Sequence, residues 1–333
     1  MQPLGFKNPS RIKALIEIWN AACGDDLAIN EDFVRFNLSG NTGVAQEGRV
    51  MMKDDRVISF VLANAFGTTK IGFVDAIAVH PSEQRKGFGL QLIGWAQKWL
   101  KAQGCERMRI GGSIRPFVAG LPTELKTGSF FEKQGFKRIG TDWDVACRLK
   151  ETKERGEIKE REIKEMRERE IKEIKEREIK EIKEIREMIG AASEKDVPAM
   201  REFFARAFPG RWQFEFEEFL RDGGRISDYL ILKIETKVEG FIQSSFEVGS
   251  HRSINRFYMS HLPHPWGQAG PLGVSKEVRG KGYGAAIIEA GLNHLKDRGV
   301  NGCVIDWTSL TDLYGKFGFE KYREYAVMMA DGK

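Results

Sequence analysis

Apolar and polar positions along this chain follow the same succession of periods twice. In each half two segments with helical spacing come first, Ser10–Ala22 and Glu31–Leu38, then Asp196–Phe208 and Phe214–Asp222. Short β-rich runs follow: Arg49–Lys53, Val57–Ala65 and Phe73–Val79 in one half, Tyr229–Glu235, Gly240–Val248 and Gly270–Val274 in the other. Runs of four to nine such residues bounded by turn residues read as strands. A longer amphipathic segment comes next (Leu90–Ala102; Ala285–Arg298), then a strand (Arg107–Gly111; Gly302–Trp307), a short helix before Gly135 or Gly318, and a last strand. This order predicts an α/β fold: two domains, each a mixed central sheet with helices on both faces.

Between the halves the pattern changes. From Glu151 to Ile189 the chain carries 14 acidic and 13 basic residues, with Ile and Met as its main apolar types. An octad starts at Arg161, Arg169 and Arg177. Glu leads Lys or Arg by four positions at Glu160–Lys164, Glu168–Lys172, Glu173–Arg177 and Glu176–Lys180, the favourable orientation on a helix. The stretch reads as one continuous helix. Eight residues at about 100° each turn its Ile positions by roughly 80° per repeat. They spiral and form no heptad seam, which favours a solvated spacer over a coiled-coil dimerisation element. The predicted organisation is residues 1–150, a charged helical linker over 151–189, and residues 190–333.

The halves are copies. Glu31-Asp32-Phe33-Val34-Arg35 matches Glu217-Glu218-Phe219-Leu220-Arg221, and Phe131–Phe136 matches Tyr314–Phe319. Between these pairs lies a shared loop, Gln84-Arg85-Lys86-Gly87-Phe88-Gly89 in one copy and Arg279-Gly280-Lys281-Gly282-Tyr283-Gly284 in the other. Each loop follows a strand ending in Val79 or Val274 and opens the long amphipathic segment, at Leu90 or Ala285. A strand, a basic Gly-rich loop and a helix N-terminus make an anion site, because the first-turn amides lack intrahelical partners and the helix dipole adds positive charge. A Walker loop needs Lys-Ser/Thr after its last Gly, but Gly282 precedes Tyr283. A dinucleotide fingerprint belongs at the start of a βαβ unit, whereas these loops fall past the midpoint of each copy.

Composition narrows the rest. A formal charge of +5 over 333 residues indicates no nucleic-acid or membrane-surface partner. Cys23, Cys105, Cys147 and Cys303 form no CxxC pair and have no His at ligand spacing, so neither a zinc site nor a disulfide frame is expected. No apolar run approaches the ~20 residues of a membrane span, and the start has no apolar signal core, which leads to the expectation of a cytoplasmic protein.

The loops, with the aromatic-x-x-x-Gly-Phe pattern at Phe131–Phe136 and Tyr314–Phe319, resemble the GNAT superfamily of acyl-CoA-dependent N-acyltransferases, in tandem. The resemblance covers both halves and not the linker. It implies acetyl-CoA as co-substrate, its pyrophosphate held at Val79, Gln84–Leu90 and at Val274, Arg279–Ala285. It implies acetyl transfer to a primary amine, on a small molecule or a peptide, by direct attack in a ternary complex. The family's carbonyl donor is a backbone N–H two residues before the terminal Val, which maps to Leu272 and Ile77. Its thiolate acid is a Tyr heading the aromatic motif; Tyr314 fills that position in the second copy and Phe131 in the first. The second copy is therefore the expected catalyst and the first a degenerate one. Glu247, His251, His261, His264 and Asp306 remain open as the general base. Trp307 stands where many members have Asn near the cofactor, and Trp212, Phe214, Phe216 and Phe219 read as core. Other classes stay in view: a CoA-binding regulatory or interaction protein without turnover, or a scaffold assembled through the linker, as monomer or homodimer.

Overall fold

The computed structural model describes residues 1–5, 7–38, 43–67, 69–149, 183–247 and 262–332. The first copy runs β1 (Gln2–Pro3), α1 (Pro9–Cys23), α2 (Glu31–Leu38), β2 (Val44–Lys53), β3 (Arg56–Phe66), β4 (Ile71–Val79), α3 (Phe88–Ala102), β5 (Arg107–Ile110), β6 (Leu121–Pro122), α4 (Gly128–Glu132) and β7 (Lys137–Arg148). The second runs β8 (Ile189–Ala191), α5 (Val197–Ala207), α6 (Arg211–Arg221), β9 (Tyr229–Ile234), β10 (Lys237–Phe246), β11 (Trp266–Val274), α7 (Tyr283–Asp297), β12 (Gly302–Thr308), α8 (Thr311–Gly315) and β13 (Glu320–Asp331).

Local chemistry sets many boundaries. Asn8 caps α1 by accepting from the amides of Ser10 and Arg11, with Pro9 in the first turn where its missing N–H costs nothing. Asp54 and Asp55 both take positive φ (48° and 59°) and join β2 to β3 in a two-residue turn with the twist a hairpin needs. Ser193 and Asp196 form a reciprocal capping box ahead of α5. Each predicted main helix and strand occurs, with longer bounds for several. β2 starts at Val44, β11 at Trp266 and α6 at Arg211. The very short β1, β6 and β8 carry too few residues to show a period.

The two sheets are continuous. The strand order is β1-β2-β3-β4-β5-β13-β7-β12-β11-β10-β9-β8, with β6 alongside β13. The last strands have changed places. β13, from the second copy, pairs with β5 of the first (Met329 opposite Arg109), and β7, from the first, pairs with β12 of the second (Cys147 opposite Cys303). The exchanged strands also pair with each other over most of their length, antiparallel, with Tyr325 opposite Asp142. Burial follows the exchange. Ala326, Met328 and Ala330 of β13 pack under α3, while Val145, Cys147 and Leu149 pack under α7. Each copy's core is closed by the other copy's strand.

On the opposite face α1 and α2 cover the first copy, with Trp19, Phe33 and Phe117 in edge contact, and α5 and α6 cover the second around Phe204, Phe216 and Tyr229. Of the expected linker, residues 151–182 lie outside the described residues. Residues 183–187 are helical and Ile189 already belongs to β8. Among the described residues no helix is long and apolar enough to cross a membrane.

Candidate active site

In both copies the parallel strand pair splits open at the same level. β4 stays paired with β5 from Ile71–Arg107 to Val74–Ile110, and β11 with β12 from Trp266–Gly302 to Gln268–Val304. At that level the adjoining hairpin also slips register, leaving Asp75 in one copy and Gly270-Pro271 in the other without an opposing residue. Such a bulge bends the strand away from its parallel neighbour. Ile77 lies two residues beyond Asp75, and Leu272 directly follows Gly270-Pro271.

The loops that follow share one backbone. Arg85 and Gly280 take φ of 64° and 82°, and Gly87 and Gly282 take 85° and 84° as N-caps of α3 and α7. The side chains of Gln84 and Arg279 each donate to the carbonyl of the strand's last Val, at 3.1 Å in both cases. A Cβ built at Gly87, Gly280, Gly282 or Gly284 meets nothing within 4 Å, so the space over these amides is open to a ligand. The rims differ. In the first copy Glu83 binds Lys86 and Lys53, which pull its carboxyl below the usual range. Val278 replaces Glu83 in the second copy, and Lys281 makes no ion pair among the described residues.

The clefts differ more. In the second copy a cavity of about 600 Å³ opens at the split, with both Leu272 and Tyr314 on its wall. Tyr314 is buried, with the Thr308 side chain close by. Burial above all, and then Asp306, push its proton affinity up against the opposing influence of Thr308, so the hydroxyl stays protonated through the neutral range. Phe131, its counterpart, is packed edge-on against Phe130 and Phe136 in the first core. The first copy's own cleft is filled by the segment after β5. Gly111 and Gly112, both at positive φ, turn the chain back, Ser113 faces the buried Asp75, and Phe117 is fully buried under α1. The space beside Ser113 is about 10 Å³, room for about one water.

The same segment then walls the second copy's cavity. Arg115 crosses to Glu218 at 3.1 Å and Asp222 at 3.6 Å on the α6 side. β7 brings Asp142 and Asp144 to the cavity. Asp144 is buried and accepts from the Trp307 amide at 3.0 Å and the Tyr325 hydroxyl at 2.5 Å. Asp142 accepts from the Trp307 indole at 2.7 Å and pairs with Arg109 at 3.2 Å. These bonds hold Trp307 at φ 51°, a conformation a Trp seldom adopts, where β12 slips against β7. Trp307 thus lines the cavity, with the guanidinium of Arg211 3.9 Å from its ring centre.

Of the base candidates, Asp306 is on the cavity wall. Glu247 and His264 bond each other at 2.7 Å at the far end of β10 and do not line it, and His251 and His261 lie outside the described residues. Phe216 and Phe219 are core as expected, Phe219 also reaching the cavity wall, and Trp212 packs against the same core with its other side on the cavity; the core reading is corrected for Phe214, which is half-buried and lines the cavity. An amphipathic helix shows its apolar stripe in sequence, but not that part of the stripe faces a cleft. The carboxylates of β7 were equally silent, because they belong to the other copy's sequence. Among the described residues no group of His, Cys, Asp or Glu is arranged to hold a metal ion.

An open sheet split beside a glycine cradle, with a protonated phenol across the gap, has the architecture of an acyl-transferring enzyme. The chain belongs to the acetyltransferase (GNAT) family, whose model matches residues 13–118 and 197–319, one match in each copy. Among solved structures it is similar to the GCN5-related glucosamine N-acetyltransferase region of a fungal multi-domain GH3 β-N-acetylglucosaminidase, with TM-score 0.78 and 22% identity over 96% of this chain. This chain spans 36% of that protein's length. A tandem GNAT protein of the clavulanic acid biosynthesis pathway matches over 99% of this chain and 98% of its own, with TM-score 0.64 and 11% identity. A GCN5-related N-acetyltransferase from Sphaerobacter thermophilus matches over 98% and 92%, with TM-score 0.60 and 14% identity. At these identities the likeness is one of fold. No curated protein matches the chain. Family and fold together support acyl-CoA-dependent N-acetyltransfer as the general chemistry.

Proposed function

We propose that the chain moves an acetyl group from acetyl-CoA to a primary amine by direct attack in a ternary complex, and that the second copy does the chemistry. In this reading the amides of Arg279–Ala285 and the side chain of Lys281 take the CoA pyrophosphate, and the backbone from Leu272 to Val274 aligns the thioester. The amine nitrogen attacks the thioester carbonyl carbon and the C–S bond breaks. The Leu272 amide donates to the carbonyl oxygen as negative charge builds there. Tyr314 gives its proton to the departing thiolate, and Asp306 takes one from the amine. The observation that carries the reading is the shared wall: Leu272 and Tyr314 face one cavity large enough for an acceptor. The first copy joins an open cradle to a filled cleft, which favours ligand binding without turnover there.

Steady-state kinetics on Tyr314→Phe tests this. The ring volume is kept, so acetyl-CoA affinity holds while kcat falls about 100-fold, the low end for a general acid because a thiolate leaves readily. Phe131→Tyr leaves kcat unchanged. Wild-type kcat in Tyr314→Phe, combined with loss of turnover when the first cradle is blocked at Gly87, would assign the chemistry to the other copy.

A further inference from the structure

Between Asp306, the proposed base, and Thr308, which lies close to Tyr314, β12 takes an irregular step. Ile305 stands opposite Val145 and Thr308 opposite Trp143, so Asp306 and Trp307 share the single residue Asp144 as their facing partner. The period of a regular strand would send Asp306 and Trp307 to opposite faces of the sheet. At a bulge of two residues against one they come to the same side, and both line the cavity. A Trp is poorly suited to φ 51°, so the step needs a brace from outside the strand.

The first copy supplies that brace at two points. The amide that joins Asp306 to Trp307 donates to Asp144, and the Trp307 indole donates to Asp142. Asp142 is held in turn by Arg109, whose guanidinium also donates to the Ala119 carbonyl at 3.0 Å. The Arg109 guanidinium lies 5.1 Å from the centre of the Trp307 ring, and that of Arg211, itself paired with Glu215, lies 3.9 Å from it. A strained residue persists where its surroundings over-determine it. Here the peptide after Asp306 and the ring beside it are both fixed, which sets the backbone that carries the Asp306 carboxylate. We infer that Asp142, locked by Arg109, is a positioning residue for proton removal in the second copy. Its carboxylate is engaged by Trp307 and Arg109, and it acts by holding Trp307, and through it Asp306, in place. The inference rests on the proposed role of Asp306, but its geometric half is tested apart from turnover.

Asp142 is the residue to vary, because Asp144→Ala would also strand the buried Tyr325 hydroxyl. In a crystal structure of Asp142→Ala, Trp307 is expected to relax to negative φ and the Asp306 carboxylate to move by about 1 Å or more, a misplacement that costs on the order of 100-fold in rate. CoA release from acetyl-CoA in the full chain is followed with ethanolamine, benzylamine and putrescine as probe amines. At pH 7 kcat should fall about 10- to 100-fold, with KM for acetyl-CoA unchanged. The deficit should shrink to within about threefold near pH 10, where the amine sheds its proton unaided. Asp142→Asn keeps an oxygen for the indole and should recover most of the rate. Asp306→Asn should lower kcat at least as far, and adding Asp142→Ala to it should cost nothing further, because residues that act through one group do not add. A deficit independent of pH, or losses that multiply in the double variant, would mean that Asp142 only holds the strands together and would overturn the inference. So would a crystal structure in which Trp307 and Asp306 have not moved, and that arm decides even if none of the three amines is turned over. A displaced Asp306 together with wild-type kcat in Asp306→Asn would sink the base assignment and leave the positioning of Asp306 standing.

Discussion

The two cradles are nearly superposable in backbone, while the two clefts beside them have opposite fates. Gly87 and Gly282 have the same φ to within a degree, and Gln84 and Arg279 brace their strands at the same distance. Yet one cleft encloses about 600 Å³ and the other about 10 Å³. The difference comes from where the chain after the fourth long strand goes. In the first copy it folds back over its own bulge and delivers Phe117 and Ser113 into the cleft. In the second it leads straight into the helix that presents Tyr314. A cradle depends on a few backbone angles and survives duplication easily; a cleft depends on what long segments leave unfilled. The first copy has kept the part of the site that is cheap to keep, and its filler has become a wall of the other site.

The largest effect expected from this asymmetry is at the cradle glycines. Gly282→Val forces a β-branched residue to φ near +84°, costing about 1–3 kcal/mol of backbone strain in addition to the lost approach to the amides. Acetyl-CoA affinity at the second site should drop at least about 100-fold by calorimetry, with turnover lost in proportion. Gly87→Val carries the same strain and should leave turnover within about twofold. Equal kinetic losses in the two variants would break the distinction between the copies.

A smaller effect tests the shared wall. Asp144→Ala strips the acceptor from two buried donors, the Trp307 amide and the Tyr325 hydroxyl, at about 1–3 kcal/mol each. The thermal midpoint should fall by about 5–10 °C. kcat/KM for the amine should fall as well, although the residue belongs to the first copy, and Asp144→Asn should restore most of both. A melt indistinguishable from wild type would show that the first copy does not brace the second copy's cleft.

The smallest effect concerns the filled cleft. Burial pushes the Asp75 carboxyl up to about 7, against the pull of the nearby Ser113 and Asn64 side chains and the charge of Arg211. In the unfolded chain this group ionises near its ordinary value of 3.8. Between about pH 4 and 7 the unfolded chain therefore gives up a proton that the folded chain keeps, and stability falls as pH rises until both forms are ionised. Asp75→Asn removes that slope. Its thermal midpoint should match wild type near pH 4 and exceed it at pH 8 by at least about 3 °C. A higher midpoint at pH 4 with none at pH 8 would reverse the sign and rule out a buried, reluctantly ionised Asp75.

How far the sequence revealed this molecule depends on the range over which each feature is determined. The cradles, their helices and the hairpin strands were legible because caps, positive-φ glycines and period-two runs act over a few residues. Tyr314 against Phe131 was legible because both head the same short motif. The exchange of β7 and β13 was not. Both are long last strands with apolar residues to offer either core, and nothing within Lys137–Arg148 or Glu320–Asp331 states which neighbour each will take. The cavity's carboxylates inherit that silence: Asp142 and Asp144 enter the second copy's site only because their strand crosses over. Phe214 misled for a related reason, since a half-buried aromatic looks alike whether its other half meets water or a cleft.

The crossed strands also set a calendar for the chain's birth. Arg109 must wait for Met329, 220 residues later (329 − 109), before the β5 edge is covered. At about 5–20 residues per second a ribosome needs roughly 10–45 s to make that interval. Throughout it the first copy has its cradle helix and hairpin but an unpaired inner edge, and its own last strand is destined for a partner not yet synthesised. Separation itself is not expensive in entropy, because closing a loop twice as long costs only about 0.6 kcal/mol more. The exposure lies in time, on an edge that invites pairing with other chains. Neither half of this molecule is finished until Glu320–Asp331 has left the ribosome.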